Sequence, residues 1–209
     1  MAGPAAEDVA GLARLISEKS SGTRRFMVAI AGAPGSGKST LAERVCDALL
    51  AKGEHAIVVP MDGFHYDDAI LNARRHRPRK GAPFTFDVFG FENLLKRIKD
   101  REPDIAIPVF DRSMELARAG ADIVSADARI VLVEGNYLLL KDAPWNRLRP
   151  LFDLTVYLNV PKPELEQRLI QRWLDHGFDM DYARNWIASN DMLNIATVME
   201  RGADADLII

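Results

Sequence analysis

The stretch from residue 32 to residue 39 reads Gly32-Ala33-Pro34-Gly35-Ser36-Gly37-Lys38-Ser39 and matches the pattern G-x-x-x-x-G-K-[ST] in full. Its glycines let backbone N–H groups curve around phosphate oxygens, because no Cβ atom obstructs the turn. An apolar run, Phe26 to Ala31, precedes the stretch, and a helical pattern marked by Leu41, Val45 and Leu49 follows it. A buried strand, a glycine-rich loop and a helix in this order predict a phosphate-binding loop.

Each polar residue of this loop has an expected task in binding a nucleotide and its metal ion. Lys38 is expected to reach the β- and γ-phosphates, and Ser39 to place its hydroxyl on Mg²⁺. Thr40 lies in the first turn of the following helix, near the expected α-phosphate. The expected cofactors are therefore ATP and Mg²⁺, and the expected nucleotide-binding residues are Gly32, Ala33, Pro34, Gly35, Ser36, Gly37, Lys38, Ser39 and Thr40. The loop alone does not fix the reaction, because switches, motors and kinases share it.

Four further apolar runs predict the remaining strands: Ala56–Pro60, Ile130–Val133, Leu154–Leu158 and Leu207–Ile209. Helical stretches alternate with these runs, which favours βαβ units and a parallel sheet. We therefore predict an α/β protein with the three-layer P-loop NTPase fold, in which about five parallel strands carry helices on both faces. The 209 residues are expected to form a single P-loop domain.

Three segments interrupt the alternation and are expected to supply the lid and the acceptor-binding elements, near residues 65–90, 105–125 and 162–195. Long connections in compact domains are often lids or binding loops. The first segment is basic, with Arg74, Arg75, Arg77, Arg79 and Lys80, and a solvated loop is the alternative interpretation. The second contains two short β-like pieces and is predicted to be a hairpin.

Two acidic residues follow predicted strands, at the edge where parallel sheets bind ligands. Asp62 is a candidate to accept the proton of an attacking hydroxyl, or to help hold Mg²⁺ through water. Glu134 is a candidate to orient Mg²⁺ through its water shell or to contact the acceptor. The expected metal-site residues are thus Ser39, Asp62 and Glu134. The alternatives are a common turn pair for Asp62 with Gly63, and a strand-capping acid for Glu134.

Arg168 and Arg172 are spaced i, i+4 on a predicted helix and therefore share one face. Leu165 and Leu169 share the adjacent face and are expected to pack inward. Two guanidiniums near a triphosphate neutralise charge that develops in the transition state, as a lid does in small-molecule kinases. The alternative is a solvated basic face.

Composition and missing motifs narrow the function classes. The net charge of −3 argues against nucleic acid or a membrane surface as partner, and no apolar run approaches the length of a membrane span. No guanine-reading N-K-x-D element is present, which argues against a GTPase switch. Residues 1–8 show no signal-peptide pattern and Cys46 is the only cysteine, so a cytoplasmic location is expected. The sequence leaves open whether the protein is a monomer or a homodimer.

Five motifs together resemble the uridine kinase, pantothenate kinase and phosphoribulokinase-like branch of the P-loop kinases. Beside the phosphate loop, the resemblance rests on Met61–His65, Lys80–Pro83 with Thr85–Asp87, Pro108–Arg112 and Val133–Tyr137. It covers most of the chain and is strongest to bacterial proteins named as fructose-transport-system kinases.

The resemblance implies roles for individual residues. Asp62 matches the family's base toward the acceptor hydroxyl, and Glu134 matches the acid near metal and substrate. Arg168 and Arg172 match the arginine-bearing lid helix, and Asp111 and Arg112 match an acceptor-side element. Phe110 stands where uridine kinases carry a tyrosine, so recognition of a pyrimidine through a phenol hydroxyl is in doubt. His65, inside the first of these motifs, is expected to hydrogen-bond the acceptor.

The predicted function is an ATP-dependent phosphotransferase that moves the γ-phosphoryl group to a hydroxyl of a small molecule, such as a sugar, a nucleoside or a pantothenate-like alcohol. The expected catalytic residues are Lys38, Asp62, Glu134, Arg168 and Arg172, and the expected substrate-binding residues are Asp62, His65, Asp111, Arg112 and Glu134. The alternative is a non-catalytic or regulatory nucleotide-binding protein associated with a sugar transport system.

Overall fold

The structure is a computed structural model that describes the backbone of residues 6–209 and the side chains of residues 9–209. Residues 1–5, which belong to the stretch without a signal-peptide pattern, lie outside the described residues. The helices are α1 (Ala6–Lys19), α2 (Lys38–Leu50), α3 (Asp68–Ala73), α4 (Val88–Lys99), α5 (Lys162–Asp175), α6 (Met180–Trp186) and α7 (Met192–Arg201). None of these described helices is both long enough and apolar enough to cross a bilayer.

Five strands form one parallel sheet, as predicted. They are β1 (Phe26–Gly32), β2 (Ala56–Pro60), β5 (Ile130–Gly135), β6 (Leu154–Leu158) and β7 (Leu207–Ile208), in the spatial order β2-β5-β1-β6-β7. Strand β5 is buried along its whole length between β1 and β2. The carboxyl ends of β1, β2 and β5 therefore lie side by side at one edge of the sheet.

The two faces of the sheet bury different residues because side chains alternate along a strand. In β1, Val28 and Ile30 pack with the apolar faces of α1 and α2. Met27 and Ala29 point to the opposite face, where apolar residues of α4, α5 and α7 cover the sheet. Helices on both faces of a parallel sheet give the predicted three-layer fold.

The segment near residues 105–125 is a hairpin, as predicted. Strands β3 (Ile105–Asp111) and β4 (Leu116–Val124) pair antiparallel and form a separate two-stranded sheet. The hairpin packs on the short 3₁₀ turn Met61–Phe64 that follows β2. A Cβ atom on Gly63 would lie 2.2 Å from the carbonyl oxygen of Pro108, so this close approach requires glycine.

The basic segment after this turn is folded and largely engaged in internal contacts. It contains α3 and two 3₁₀ turns, Arg77–Arg79 and Pro83–Thr85. The Lys80 ammonium is buried and donates to Asp68 Oδ1 at 2.7 Å and to the Glu115 carbonyl at 2.8 Å. Lys80 thereby ties the segment to the tip of the hairpin, and a fully solvated loop is excluded.

A buried carboxylate on α4 yields a prediction about stability. Glu92 accepts two hydrogen bonds from the Arg147 guanidinium, at 2.7 and 3.0 Å, and its carboxylate pairs with Lys96 at 2.6 Å. Arg147 and then Lys96 lower the pKa of Glu92 from 4.5 to about 2. We expect Glu92→Gln to lower the free energy of unfolding at pH 7 by about 1–3 kcal/mol, measured by urea denaturation.

The pH dependence follows from the lowered pKa of Glu92. The stabilisation is fully present above the unfolded value of 4.5 and is lost as the pH falls towards about 2. The difference between wild type and Glu92→Gln should therefore narrow over this window. Glu102→Gln is the matched control, because its pair with Arg97 is exposed and worth at most about 1 kcal/mol. An equal loss of unfolding free energy in Glu92→Gln and Glu102→Gln would contradict the prediction.

Candidate active site

The carboxyl edge of the sheet brings the predicted site residues together. Glu134 lies near the end of β5, in register with Ile30 of β1 on one side and Pro60 of β2 on the other. The phosphate loop begins at the end of β1, and Asp62 follows the end of β2 directly. Glu134, Asp62 and the phosphate loop therefore lie at one corner of the sheet edge, because β2, β5 and β1 are neighbouring strands.

Glycine geometry shapes the loop. Gly35 and Gly37 have φ angles of +81° and +91°, in the left-handed region that disfavours residues with a Cβ. Gly37 is the N-cap of α2, so the amino end of that helix faces the concavity of the loop. Gly35 also packs under α5, since a Cβ atom there would lie 3.1 Å from Leu169 Cγ. The loop therefore has an anion-binding shape and is held in place by α5.

Lys38 and Glu134 are close enough to influence each other's ionisation. Burial lowers the pKa of Lys38, while the charges of Glu134 and Asp62 act in the opposite direction. Burial raises the pKa of Glu134, which Asp62 reinforces and Lys38 opposes. Ser39 Oγ donates a hydrogen bond to Glu134 Oε2 at 3.1 Å. One cation and one hydroxyl of the loop thus face the carboxylate of β5.

Asp62 is half-buried and contacts the tip of the hairpin. Its Oδ2 atom accepts a hydrogen bond from Arg112 Nη2 at 2.9 Å. Burial opposes ionisation of this carboxyl, but His65, Arg112 and Lys38 outweigh it and hold the pKa of Asp62 below its ordinary value. Asp62 is therefore a carboxylate at neutral pH, as a proton acceptor must be.

The residues present fit a Mg²⁺-nucleotide. The loop offers backbone N–H groups and a helix amino end to phosphates, and Lys38 adds a positive charge at its floor. Ser36 Oγ is buried and has no hydrogen-bond partner among the described residues. No group of three or more His, Cys, Asp or Glu residues in the described chain is placed to hold a metal alone. Proteins bind Mg²⁺ through few side chains together with substrate phosphates, and the Ser39 hydroxyl beside the Glu134 carboxylate offers two such side chains.

The two arginines of α5 lie at the site but face different partners. The Arg168 guanidinium donates to the Ser36 carbonyl at 3.0 Å and pairs with Glu164 at 2.5 Å. Burial lowers the pKa of Arg172, and the charge of Asp191 acts against that shift. Both arginines therefore lie at the site, where Arg168 hydrogen-bonds the phosphate loop and the charge of Arg172 acts on Lys38 and is opposed by that of Asp191.

Aromatic rings surround His65 on the acceptor side. The His65 ring lies 3.9 Å from the Phe86 ring and 4.9 Å from the Phe110 ring, measured between centroids. Its Nδ1 atom donates to the Asp62 carbonyl oxygen at 2.9 Å. Burial lowers the pKa of His65, so the ring is neutral at pH 7. This leaves Nε2 as an acceptor for a substrate hydroxyl.

Asp111 lies at the end of β3, where its carboxylate organises the hairpin turn. Its Oδ1 atom accepts hydrogen bonds from Ser113 N at 3.0 Å and from Ser113 Oγ at 2.6 Å. Its Oδ2 atom lies 3.4 Å from Arg118 Nε. Asp111 therefore shapes the turn that carries Arg112, rather than extending towards Asp62 itself.

A buried acid and two amides at this site were not among the predicted site residues. Asp191 ends the π-helix Ile187–Asp191, next to Arg172, and burial raises its pKa. Asn190 Nδ2 donates to the Lys80 carbonyl at 2.8 Å, and Asn190 and Asn194 both accept from the Arg79 guanidinium at 3.1 Å. The sequence signal for this cluster is the segment Asn190–Asn194, whose resemblance to a late motif of the fructose-transport-system kinases predicts a position beside the nucleotide.

Comparison with known proteins agrees with this geometry. Residues 27–209 match the family model described as phosphoribulokinase / uridine kinase. The chain belongs to that family. The Escherichia coli protein YggC is 34% identical over 190 residues, which cover 89% of this chain and 78% of YggC. A Schizosaccharomyces pombe protein named "Putative uridine kinase" is 34% identical over 202 residues, covering 89% of this chain and 83% of its own.

A solved structure shares the fold along the whole family domain. It is that of a "putative fructose transport system kinase" from Silicibacter sp. TM1040, which is 42% identical with a TM-score of 0.91. The superposition covers 96% of this chain and 98% of the other. The P-loop kinase fold predicted from the phosphate loop and the strand pattern is thus confirmed, as is the resemblance to this family.

Proposed function

We propose that this protein is an ATP-dependent phosphotransferase that moves the γ-phosphoryl group to a hydroxyl of a small molecule. The observation that supports this most is the convergence of four charged side chains at one sheet corner. The charges of Glu134 and Asp62 both act on the Lys38 ammonium of the phosphate loop, and Arg112 Nη2 of the hairpin lies 2.9 Å from Asp62 Oδ2. A nucleotide-binding protein without an acceptor does not need a carboxylate held between the loop and a separate hairpin.

The phosphate loop holds the nucleotide. Backbone N–H groups from Gly32 to Thr40 and the amino end of α2 bind the phosphate oxygens. The Lys38 ammonium pairs with the γ-phosphoryl group during its transfer. Ser39 would hold Mg²⁺, together with Glu134 or Asp62 acting through water. Bound Mg²⁺ supplies charge neutralisation at the β- and γ-phosphates. The Ser39–Glu134 hydrogen bond favours Glu134 over Asp62 as the acid nearer the metal.

Asp62 acts on the acceptor. Its carboxylate takes the proton of the attacking hydroxyl while the new bond forms between that oxygen and the γ-phosphorus. The bond from the γ-phosphorus to its bridging oxygen breaks at the same time, and ADP keeps the bond's electrons. Arg112 fixes the orientation of Asp62, and His65 positions the acceptor through Nε2. Asp111 contributes by holding the turn on which Arg112 lies.

Arg168 and Arg172 form the lid. Arg168 already contacts the loop carbonyl of Ser36, which keeps α5 close to the phosphates. Arg172, whose charge acts on Lys38 and is opposed by that of Asp191, neutralises charge on the transferring group. Closure of this helix excludes water, which otherwise competes with the acceptor hydroxyl.

The candidate acceptors are a sugar, a nucleoside or a pantothenate-like alcohol. The relative from Schizosaccharomyces pombe carries a uridine kinase name, and the structure from Silicibacter sp. TM1040 a fructose transport name. Phe110 faces His65 without a phenol hydroxyl, which disfavours a pyrimidine held by a tyrosine. A sugar or a pantothenate-like alcohol is therefore favoured over a pyrimidine nucleoside as the acceptor.

A panel assay tests the proposed function. ADP release is measured at fixed Mg²⁺ and ATP with sugars, nucleosides, pantothenate and glycerate added singly. We expect one acceptor to raise turnover to about 1–100 per second, as in other kinases. Phosphorus NMR of that reaction should show a phosphate monoester that is absent without the acceptor. The Lys38→Ala protein, purified in parallel, controls for contaminating kinases.

The assay also separates the two function classes. ADP release that is equal with and without every acceptor, alongside tight nucleotide binding, would contradict the kinase proposal. That result would favour the regulatory protein associated with a sugar transport system.

A further inference from the structure

A cavity of about 600 Å³ lies beside the candidate active site and takes no part in the proposed reaction. Its wall is mostly apolar and aromatic, with Phe84, Phe86, Phe89, Trp145 and Leu193 among the lining residues. Phe84, Phe89 and Leu193 are exposed, although each is a large apolar side chain. Small-molecule pockets have this size and this lining, with a few polar groups placed to orient the ligand.

The cavity is separated from the acceptor side by a single aromatic ring. Phe86 lies 3.9 Å from His65 and 5.8 Å from Trp145, measured between ring centroids. His65 belongs to the candidate site, whereas Trp145 belongs to the cavity wall. A molecule in the cavity therefore contacts the back of the ring that supports His65, and does not approach the phosphate loop.

The charges of the lining indicate an anionic ligand. Arg201 pairs with Asp142 at 2.8 Å, so these two lining residues neutralise each other. Arg79 is half-buried, and its hydrogen-bond acceptors are the neutral amide oxygens of Asn190 and Asn194. No carboxylate of the described residues lies within salt-bridge distance of Arg79. The lining thus keeps one uncompensated positive charge against an apolar surface.

We propose that this cavity is a second binding site, for a planar apolar molecule that carries one negative charge. Its rings stack among Phe84, Phe89 and Trp145, and its anionic group pairs with Arg79. Arg79 also binds the π-helix and α7, whose Asp191 neighbours Arg172 of the lid. Occupation of the cavity therefore acts on the π-helix, which holds Asp191 beside Arg172 of the lid, and the site is a place for an effector.

A fluorescence titration with two matched probes tests the site. The anionic probe is 8-anilinonaphthalene-1-sulfonate, and the neutral one is N-phenyl-1-naphthylamine, which has the same rings without the sulfonate. Saturating Mg²⁺-ATP is present throughout, so that the nucleotide site is filled. We expect one anionic probe to bind per chain, with a blue shift of its emission.

Three variants decide whether the probe binds in this cavity. Arg79→Gln should lower the affinity for the anionic probe by at least about tenfold, because one charge-assisted contact is lost. The affinity for the neutral probe should change by less than about twofold. Phe89→Glu changes an exposed wall residue, does not threaten folding, and should weaken the anionic probe by a similar factor. Leu50→Glu adds the same charge at an exposed site on α2, outside the lining, and should have no effect.

Other outcomes would overturn the proposal. Unchanged affinity of the anionic probe in Phe89→Glu would place the probe elsewhere on the protein. An equal loss of both probes in Arg79→Gln would mean that Arg79 shapes the wall without binding the anion. Several weak sites per chain would mean that the surface takes up apolar molecules without a defined cavity.

Discussion

Replacement of Lys38 by alanine is expected to lower kcat for phosphoryl transfer by about a thousandfold or more at saturating ATP. The Lys38 side chain starts α2 at the end of the phosphate loop and faces Glu134 and Asp62. Alanine removes the ammonium of the loop from beside these carboxylates and leaves Arg112, which is already paired with Asp62, so the site attracts the phosphates less. ADP release with the acceptor found in the panel measures kcat, and calorimetry with ATP measures binding separately.

Lys52→Ala is the matched control for this experiment. Lys52 is exposed in the turn after the same helix, and its replacement makes an identical change in composition and net charge. It should leave kcat and ATP affinity unaltered. A Lys38→Ala enzyme that keeps a tenth or more of the wild-type kcat would show that the loop lysine is not essential to transfer.

Local signals explain why the fold could be predicted from the sequence. Apolar runs such as Ile130–Val133 predict strands that are buried on both faces, because four consecutive branched apolar residues suit few other structures. The phosphate loop fixes which strand is β1 and places Lys38 and Ser39 within a few residues of it. Once the sheet is parallel, Asp62 and Glu134 must lie at the same edge as the loop.

Contacts between distant segments could not be predicted in the same way. In the sequence, Lys80 is one cation of a basic stretch. In the structure its ammonium is buried and donates to Asp68 and Glu115, which lie 12 and 35 residues away. The spacing of Arg168 and Arg172 predicts a common face, but it does not predict that Arg168 hydrogen-bonds the Ser36 carbonyl, 132 residues away. Such pairings depend on how the hairpin and the lid pack on the sheet, and no sequence periodicity encodes that packing.

Asp62→Asn is expected to lower kcat by about 10²- to 10⁴-fold while ATP affinity changes by less than about threefold. Asparagine keeps the shape of the side chain, and its amide oxygen still accepts a hydrogen bond from Arg112. It cannot take a proton from the acceptor, so the acceptor hydroxyl must attack the γ-phosphorus without a base. Calorimetry with ATP and single-turnover rates with the acceptor measure the two effects independently.

Two further variants assign the loss to the proton acceptor. Asp67→Asn is the matched control, since Asp67 caps α3 five residues away and asparagine caps helices equally well. Glu134→Gln should instead raise the Mg²⁺ concentration needed for half-maximal rate, because Glu134 binds Ser39 next to the expected metal. If Glu134→Gln lost turnover at every Mg²⁺ concentration while Asp62→Asn kept it, the base would be Glu134, and the hairpin contact of Asp62 would serve only to position the acceptor.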